Sequence, residues 1–127
     1  LRLQLADFVN TTSEPLFDGA LKVALAVALE QSPFLKVFPD NGVQETLRLM
    51  ERPPDTPITR DVAREIAMRA GLKATISGSI ASLGRNYVLA LEATAQNGDV
   101  IAREQVEAGS KEEVLTALGT AVGSLGR

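Results

Sequence analysis

The side chains able to do chemistry in this sequence are carboxylates, hydroxyls, lysines, arginines and one tyrosine, because it has no histidine, cysteine or tryptophan. A histidine base, a thiolate nucleophile and a Cys/His zinc site are therefore excluded. Ser77, Ser79 and Ser82 have no histidine and no evident lysine base, so a nucleophilic serine has little support. Asp61 and Glu65 fit a solvated helix face better than an acid–base pair. The sequence predicts a domain that is not an enzyme, with no catalytic residue, metal or cofactor.

A polar stretch after the first apolar run is the main candidate for a ligand site. It lies at the carboxyl end of a predicted strand over residues 1–9, where open α/β sheets usually bind ligands. The candidate ligand-binding residues are Asp7, Asn10, Thr11, Thr12 and Asp18. Capping and turn formation is the competing interpretation, and the sequence favours it. Glu14 and Asp18 already complement a helix dipole, and no Lys or Arg occurs between Gln4 and Leu21.

The second candidate surface is a predicted strand over residues 100–108. One of its two faces is polar and charged, and consists of Arg103, Gln105 and Glu107. That face is too polar for a strand covered on both sides, so we expect an edge strand. The free N–H and C=O groups of an edge can accept a strand from another chain. We expect this edge to be protected in a monomer or used in one specific contact, such as a homodimer or an adjoining domain.

Hydrophobic periodicity predicts the elements that position these residues, in the order β-α-β-α-α-β-β-β-α. The predicted strands cover residues 1–9, 34–38, 73–83, 87–95 and 100–108. This order predicts an α/β fold: a single mixed β-sheet of about five strands, flanked by about four helices. The first three strands should run parallel and the last three should form an antiparallel meander. The first strand is the most apolar, so we expect it at the centre.

Local signals predict where several elements begin and end. Thr59 is placed to cap the third helix, and Gly71 to end it in a left-handed conformation. Ser110 and Glu113 have the spacing of a capping box before the last helix. Residues 97–98, Asn-Gly, predict a two-residue type I′ hairpin turn, which needs positive φ at both positions. The first helix is predicted to start near Pro15, after a Thr12 or Ser13 cap.

Gly78 interrupts the third predicted strand and has two interpretations. It could let the backbone of a ligand approach closely, or it could make room for a packed neighbour or a bulge. The second role is the commoner one for a glycine inside a strand.

Composition limits the partners of the chain. Its 127 residues fit one domain, over residues 1–127, and the core must be aliphatic because only 4% of residues are aromatic. The net charge of −3 argues against binding to nucleic acid or to anionic membrane surfaces. The longest apolar run, residues 23–29, is too short to span a membrane. Because the chain begins at Leu1, we expect a fragment of a larger protein.

Seven stretches carry a family resemblance over essentially the whole chain. They are residues 5–12 (LADFVNTT), 17–21 (FDGAL), 28–35 (ALEQSPFL), 46–50 (TLRLM), 63–66 (AREI), 78–84 (GSIASLG) and 111–115 (KEEVL). This pattern resembles the TolB amino-terminal-like α/β domain found between the transmembrane helix and the tetratricopeptide repeats of large bacterial serine/threonine protein kinases. The kinase's own motifs are absent: there is no glycine-rich nucleotide loop, no His-Arg-Asp and no Asp-Phe-Gly.

The resemblance implies a non-catalytic sensor or protein-interaction domain on the periplasmic side of a bacterial inner membrane, as part of a membrane-anchored protein. The implied partner is a protein: the adjoining repeats, a second copy or an envelope component. No contact of this domain with nucleic acid or membrane is expected, and no cofactor. One alternative is a small-ligand-binding domain that uses the loop after the first strand. A hydrolase built on Asp, Ser or Lys residues is the least favoured hypothesis.

Overall fold

The computed structural model describes residues 1–125, which form one mixed six-stranded sheet with helices on both faces. The strands are β1 (Arg2–Leu5), β2 (Val9–Asn10), β3 (Lys36–Val37), β4 (Ala74–Leu83), β5 (Asn86–Ala95) and β6 (Val100–Ala108). The helices are α1 (Ala20–Leu29), α2 (Asp40–Leu49), α3 (Arg60–Ala70) and α4 (Val114–Leu125), with 3₁₀ turns at Pro15–Phe17 and Lys111–Glu113. The predicted α/β fold is confirmed. No helix within residues 1–125 combines the length and the apolar character that crossing a bilayer requires.

The strand order is β3-β1-β4-β5-β6, with β2 paired to β4 beside this path. β1 runs parallel to both β3 and β4, and β4, β5 and β6 form an antiparallel meander, as predicted. The expectation that the first strand is central is wrong, because β4 occupies the middle of the order. The apolar content of a strand indicates how well its two faces are covered, and not its place in the strand order. Helices cover β1 and the first half of β4 alike, so this signal cannot separate the two strands.

The predicted first strand over residues 1–9 is two strands in the structure. Leu5 lies opposite Ile76 and Val9 lies opposite Ser79. Between these two pairs, the segment from β1 to β2 therefore has one residue more than β4. The extra length lets Asp7 leave the sheet, where its N–H donates to the carbonyl of Ile58 at 2.7 Å. A tertiary contact with the loop before α3 therefore splits the strand.

Two hydrophobic clusters lie on opposite faces of the sheet. The larger one packs α1 and α4 on the strands, and its fully buried side chains include Leu21, Leu25, Leu118, Ile80 and Leu89. The smaller one packs α2 and α3, and includes Leu47, Ala63 and Ile66. On this second face α3 covers β1 and β4. Along β5 and β6, the side chains that point to this face are half-buried or exposed. We call this second face of β5 and β6 the open face.

The first helix begins later than predicted. Pro15 starts a separate 3₁₀ turn, in which the carboxylate of Glu14, rather than Thr12 or Ser13, accepts a hydrogen bond from the N–H of Leu16. Gly19 then adopts φ 80°, a left-handed conformation, and α1 starts at the next residue. A glycine at positive φ reorients the chain between the two elements at little steric cost, and the apolar spacing does not reveal it.

The third helix follows its prediction closely. The hydroxyl of Thr59 accepts a hydrogen bond from the N–H of Val62 at 3.2 Å, and Gly71 ends the helix at φ 71°. The buried residues of α3 are Val62, Ala63, Ile66 and Ala67. Its exposed side carries charged residues that form an i,i+4 ion pair, Glu65 with Arg69. Because caps and the buried stripe depend on contacts within a few residues, the local sequence suffices to predict them.

The remaining two local signals are correct in place and wrong in detail. The hairpin turns at residues 96–98, but only Gly98 has positive φ, and the Ala95 N–H donates to the Asp99 carbonyl at 2.8 Å. This is the three-residue loop with a left-handed glycine, not a type I′ turn. At the last helix, the Glu113 carboxylate accepts from the Gly109 N–H at 3.3 Å, while the Ser110 side chain makes no capping bond.

Candidate functional site

The polar residues after β1 bond mostly to one another. The amide of Asn10 donates to the carboxylate of Asp18 at 2.8 Å and to the carbonyl of Glu14 at 3.0 Å. Its carbonyl oxygen accepts from the N–H of Thr12 at 2.9 Å, and the hydroxyl of Thr11 donates to Ile80 of β4 at 3.3 Å. The structure therefore groups Asn10, Thr12 and Asp18, and much of their bonding capacity is used inside the loop.

Asp7 lies apart from that group and joins three elements. Its Oδ1 contacts Nζ of Lys22 on α1 at 2.7 Å, and its Oδ2 accepts from the Ile58 N–H at 2.9 Å. Sequence reasoning missed this ion pair, because Lys22 stands one residue beyond the segment searched for a cation. The signal was its position in the first turn of α1, the helix that follows the segment carrying Asp7. A carboxylate held by an ammonium group and a backbone N–H fixes the loop that carries it.

A groove of about 910 Å³ opens beside Asp7, between α1 on one side and α2 and the loop before α3 on the other. Val23 and Val27 of α1 flank it and are 66% and 58% exposed. Gln4 of β1 also lines it and is buried; its Nε2 donates to the Leu5 carbonyl at 2.9 Å. The Gln4 Oε1 atom is buried without a hydrogen-bond partner in the part of the chain described. An unsatisfied buried acceptor costs about 1–3 kcal/mol, so this atom marks a place for a donor from water or a ligand.

The open face carries a cluster of three charged side chains. Glu92 of β5 is 16% exposed and lies between Arg60 of α3 and Arg103 of β6. Its Oε2 accepts from Nε of Arg103 at 2.7 Å, and its Oε1 contacts Arg60. Each carboxylate oxygen of Glu92 contacts one guanidinium group, so Glu92 ties β6 and α3 to β5.

β6 is an edge strand, as predicted. It pairs with β5 along one side only among residues 1–125, and α4 packs on one of its faces. On the open face its exposed residues include Arg103, Gln105 and Glu107. The three residues singled out from the sequence thus share one exposed surface beside unpaired backbone groups. Whether a partner uses them stays a prediction.

A further ion pair joins the two 3₁₀ turns. Nζ of Lys111 contacts the carboxylate of Glu14 at 2.9 Å. This hydrogen bond lowers the pKa of Glu14 below its ordinary value and raises the pKa of Lys111 above its own. The contact is exposed, and its physical role is to fasten the start of α4 near the loop that follows β1.

The arrangement offers ion pairing and backbone hydrogen bonding rather than reactive groups. Asp7, Glu14 and Glu92 each contact a lysine or an arginine. Residues 1–125 contain no cluster of three or more carboxylates placed to hold a metal ion.

Comparison with known proteins finds likeness in structure and none in sequence. No protein-family model matches the chain, and no curated protein does. The LpoB C-terminal domain from Salmonella enterica matches with a TM-score of 0.75 and 16% identity, over 84% of this chain and 81% of that one. Lipoprotein GNA1162 from Neisseria meningitidis matches with a TM-score of 0.68 and 15% identity, over 97% of this chain and 94% of that one. TolB from Acinetobacter baumannii matches with a TM-score of 0.61 and 11% identity, over 98% of this chain and 27% of that one.

These identities establish a likeness of fold. The chain is an α/β domain with a TolB-like fold that is also similar to LpoB and GNA1162. The TolB part of the sequence resemblance is thereby supported, and the kinase setting stays a prediction.

Proposed function

We propose that this chain is a non-catalytic protein-interaction domain of the bacterial cell envelope. The observation that carries the proposal is the exposed edge of β6 beside the open face. An envelope location is supported by the similarity of the fold to a lipoprotein, GNA1162, and to LpoB and TolB.

The physical case for a protein partner is that β6 offers two kinds of recognition at once. Its unpaired edge supplies a row of backbone donors and acceptors, which an added strand satisfies without regard to sequence. The side chains of Arg103, Gln105 and Glu107 then select the partner by charge and register. The net charge of −3 makes nucleic acid a poor alternative, since phosphate backbones need a basic surface.

We further propose that the parent protein is a membrane-anchored serine/threonine kinase with tetratricopeptide repeats, and that this domain is its periplasmic input module. The residue resemblance over the seven stretches motivates this finer statement. The sequence of the full-length protein tests it. A kinase module and one apolar span before Leu1 would support the proposal, and a parent enzyme without a membrane span would exclude it.

Site-specific photo-crosslinking in cells tests the interaction domain itself. A photoreactive residue replaces Gln105 at the β6 edge, and a control places it at Arg48, an exposed position on α2 remote from that edge. We expect protein adducts from position 105 and none from position 48. Equal labelling at both positions, or no adduct at either, would contradict the proposal.

The groove beside Asp7 supports a second candidate function, the binding of a small ligand. The unpartnered Oε1 of Gln4 favours it, together with apolar walls and the amine of Lys22. Thermal-shift screening against metabolites and cell-wall fragments tests this hypothesis. A true ligand should lose its effect in Lys22→Ala and keep it in Lys36→Ala, whose side chain lies on the edge strand β3. A flat response across the screen would remove the support.

A further inference from the structure

We propose that β6 pairs antiparallel with β6 of a second copy of this chain, about a twofold axis at Gln105. The proposal rests on the proposed function, because it names the partner of the same edge. The two sheets would then become continuous, with both α4 helices on one face and both open faces on the other.

The charges along β6 fit this register. In an antiparallel pair about Gln105, each residue faces the partner residue at the same distance on the other side of the axis. Arg103 of one copy therefore faces Glu107 of the other, and the twofold axis generates the same pair again. Opposite charges placed directly across two strands stabilise their pairing. Gln105 faces its own copy, and a side-chain amide can both donate to and accept from a second amide.

Several other registers bring like charges together, and an axis at Val106 avoids them but forms no pair of opposite charges. An axis at Arg103 places two arginines opposite each other, and an axis at Glu104 or Glu107 places two glutamates opposite each other. A parallel, in-register pair matches every residue with itself and repeats both clashes. The register about Gln105 avoids all of them. On the α4 side it sets Glu104 opposite Val106, so no like charges meet there either.

The side chains are available for this contact. The side chain of Arg103 is 71% exposed, and the bond to Glu92 engages its Nε. A guanidinium carries five N–H donors, so the terminal nitrogens can serve a second carboxylate. Glu92 also fixes the direction of Arg103, which lowers the entropy lost when the second pair forms. Glu107 is exposed on the same face of the strand.

The sharpest test uses the symmetry of the proposed pair. Arg103→Glu and Glu107→Arg each place like charges across the axis, so each variant should self-associate at least about tenfold more weakly than the native chain. A mixture of the two variants restores both ion pairs and should form heterodimers. The variant carrying both changes should regain self-association. Arg69→Glu, on the exposed side of α3, is the charge-matched control and should leave association unchanged.

Sedimentation of each protein over a range of concentrations measures these constants, and energy transfer between differently labelled variants detects heterodimers. Arg103→Glu also loses its contact with Glu92, and a weakened fold could mimic weak association. A second variant, Gln105→Cys, avoids this difficulty. Opposite Cα atoms in antiparallel strands lie about 4.5–5.5 Å apart, within the range of a disulfide. The sequence has no cysteine, so the bond would have no competitor.

The results separate this inference from the proposed function. Rapid disulfide formation by Gln105→Cys, slow formation by Arg69→Cys, and heterodimers of the two charge variants would support self-pairing. A native chain that stays monomeric at every concentration, with no heterodimer in the mixture, would overturn it. If position 105 still crosslinks to a different protein in cells, the interaction domain survives and only the second copy is excluded. If it crosslinks to nothing, both proposals fail.

Discussion

Replacing Gly78 with alanine should destabilise the fold through one aromatic ring. A Cβ atom at Gly78 would lie 2.6 Å from Cζ and 2.7 Å from Cε1 of Phe8. Carbon atoms in contact prefer about 3.5–4.0 Å, so the ring must retreat by about 1 Å. Phe8 packs against the larger hydrophobic cluster, where neighbours limit this movement. The structure thus explains Gly78 by packing on its own chain.

The size and sign of the effect depend on whether the ring is present. In the native background, Gly78→Ala should cost about 1–3 kcal/mol, the usual range for overpacking a core. In a Phe8→Ala background the obstacle is gone. The same change should then stabilise by about 0.5–1 kcal/mol, because glycine loses more backbone freedom in a strand than alanine. The two substitutions should therefore show a coupling energy of about 1.5–4 kcal/mol.

Urea unfolding of the four proteins, followed by far-ultraviolet circular dichroism, measures the cycle. Gly123→Ala on α4 is the matched control, because a Cβ there meets no atom within 4 Å. It should stabilise the native and Phe8→Ala proteins alike, by about 1 kcal/mol. Equal costs of Gly78→Ala with and without Phe8 would refute the packing account. A cost that persists without the ring would mean that a different neighbour excludes the side chain.

Three further predictions concern single positions. Ala67→Arg should lower the free energy of unfolding by several kcal/mol, measured with denaturant, because Ala67 is fully buried. Arg64→Ala should change it by no more than about 0.5 kcal/mol, because Arg64 is exposed. Equal effects of the two substitutions would mean that α3 buries a different face. Gly98→Val should lower the melting temperature, since a β-branched residue resists the φ of 97°, and unchanged stability would contradict the turn. Lys111→Ala should raise the pKa of Glu14 toward its ordinary value in an NMR titration. Because folding lowers this pKa, the native pair stabilises the fold at neutral pH, and its contribution fades as the pH falls through the folded pKa.

Several features of this protein follow from its sequence alone, because they depend on neighbours within a few residues. The Thr59 cap, the buried stripe of α3 and the left-handed Gly71 are set by hydrogen bonds and spacing inside one helix. The edge position of β6 could also be predicted from the sequence, because the charged side chains of Arg103 and Glu107 on one face of the strand must be exposed to solvent. The sequence alone also shows that histidine, cysteine and tryptophan are absent.

The tertiary structure decided which residues meet. Asp7 was grouped by sequence with Asn10 and Asp18, yet contacts with Lys22 and Ile58 draw it away and split the first strand. The central place of β4 and the position of half-buried Glu92 between two arginines also depend on strand order and register.

The unpartnered Gln4 Oε1 and the groove beside it depend on the same packing. Such contacts join segments far apart in the chain. Their free energy comes from closing loops and burying surfaces together, so no local pattern of residues encodes them.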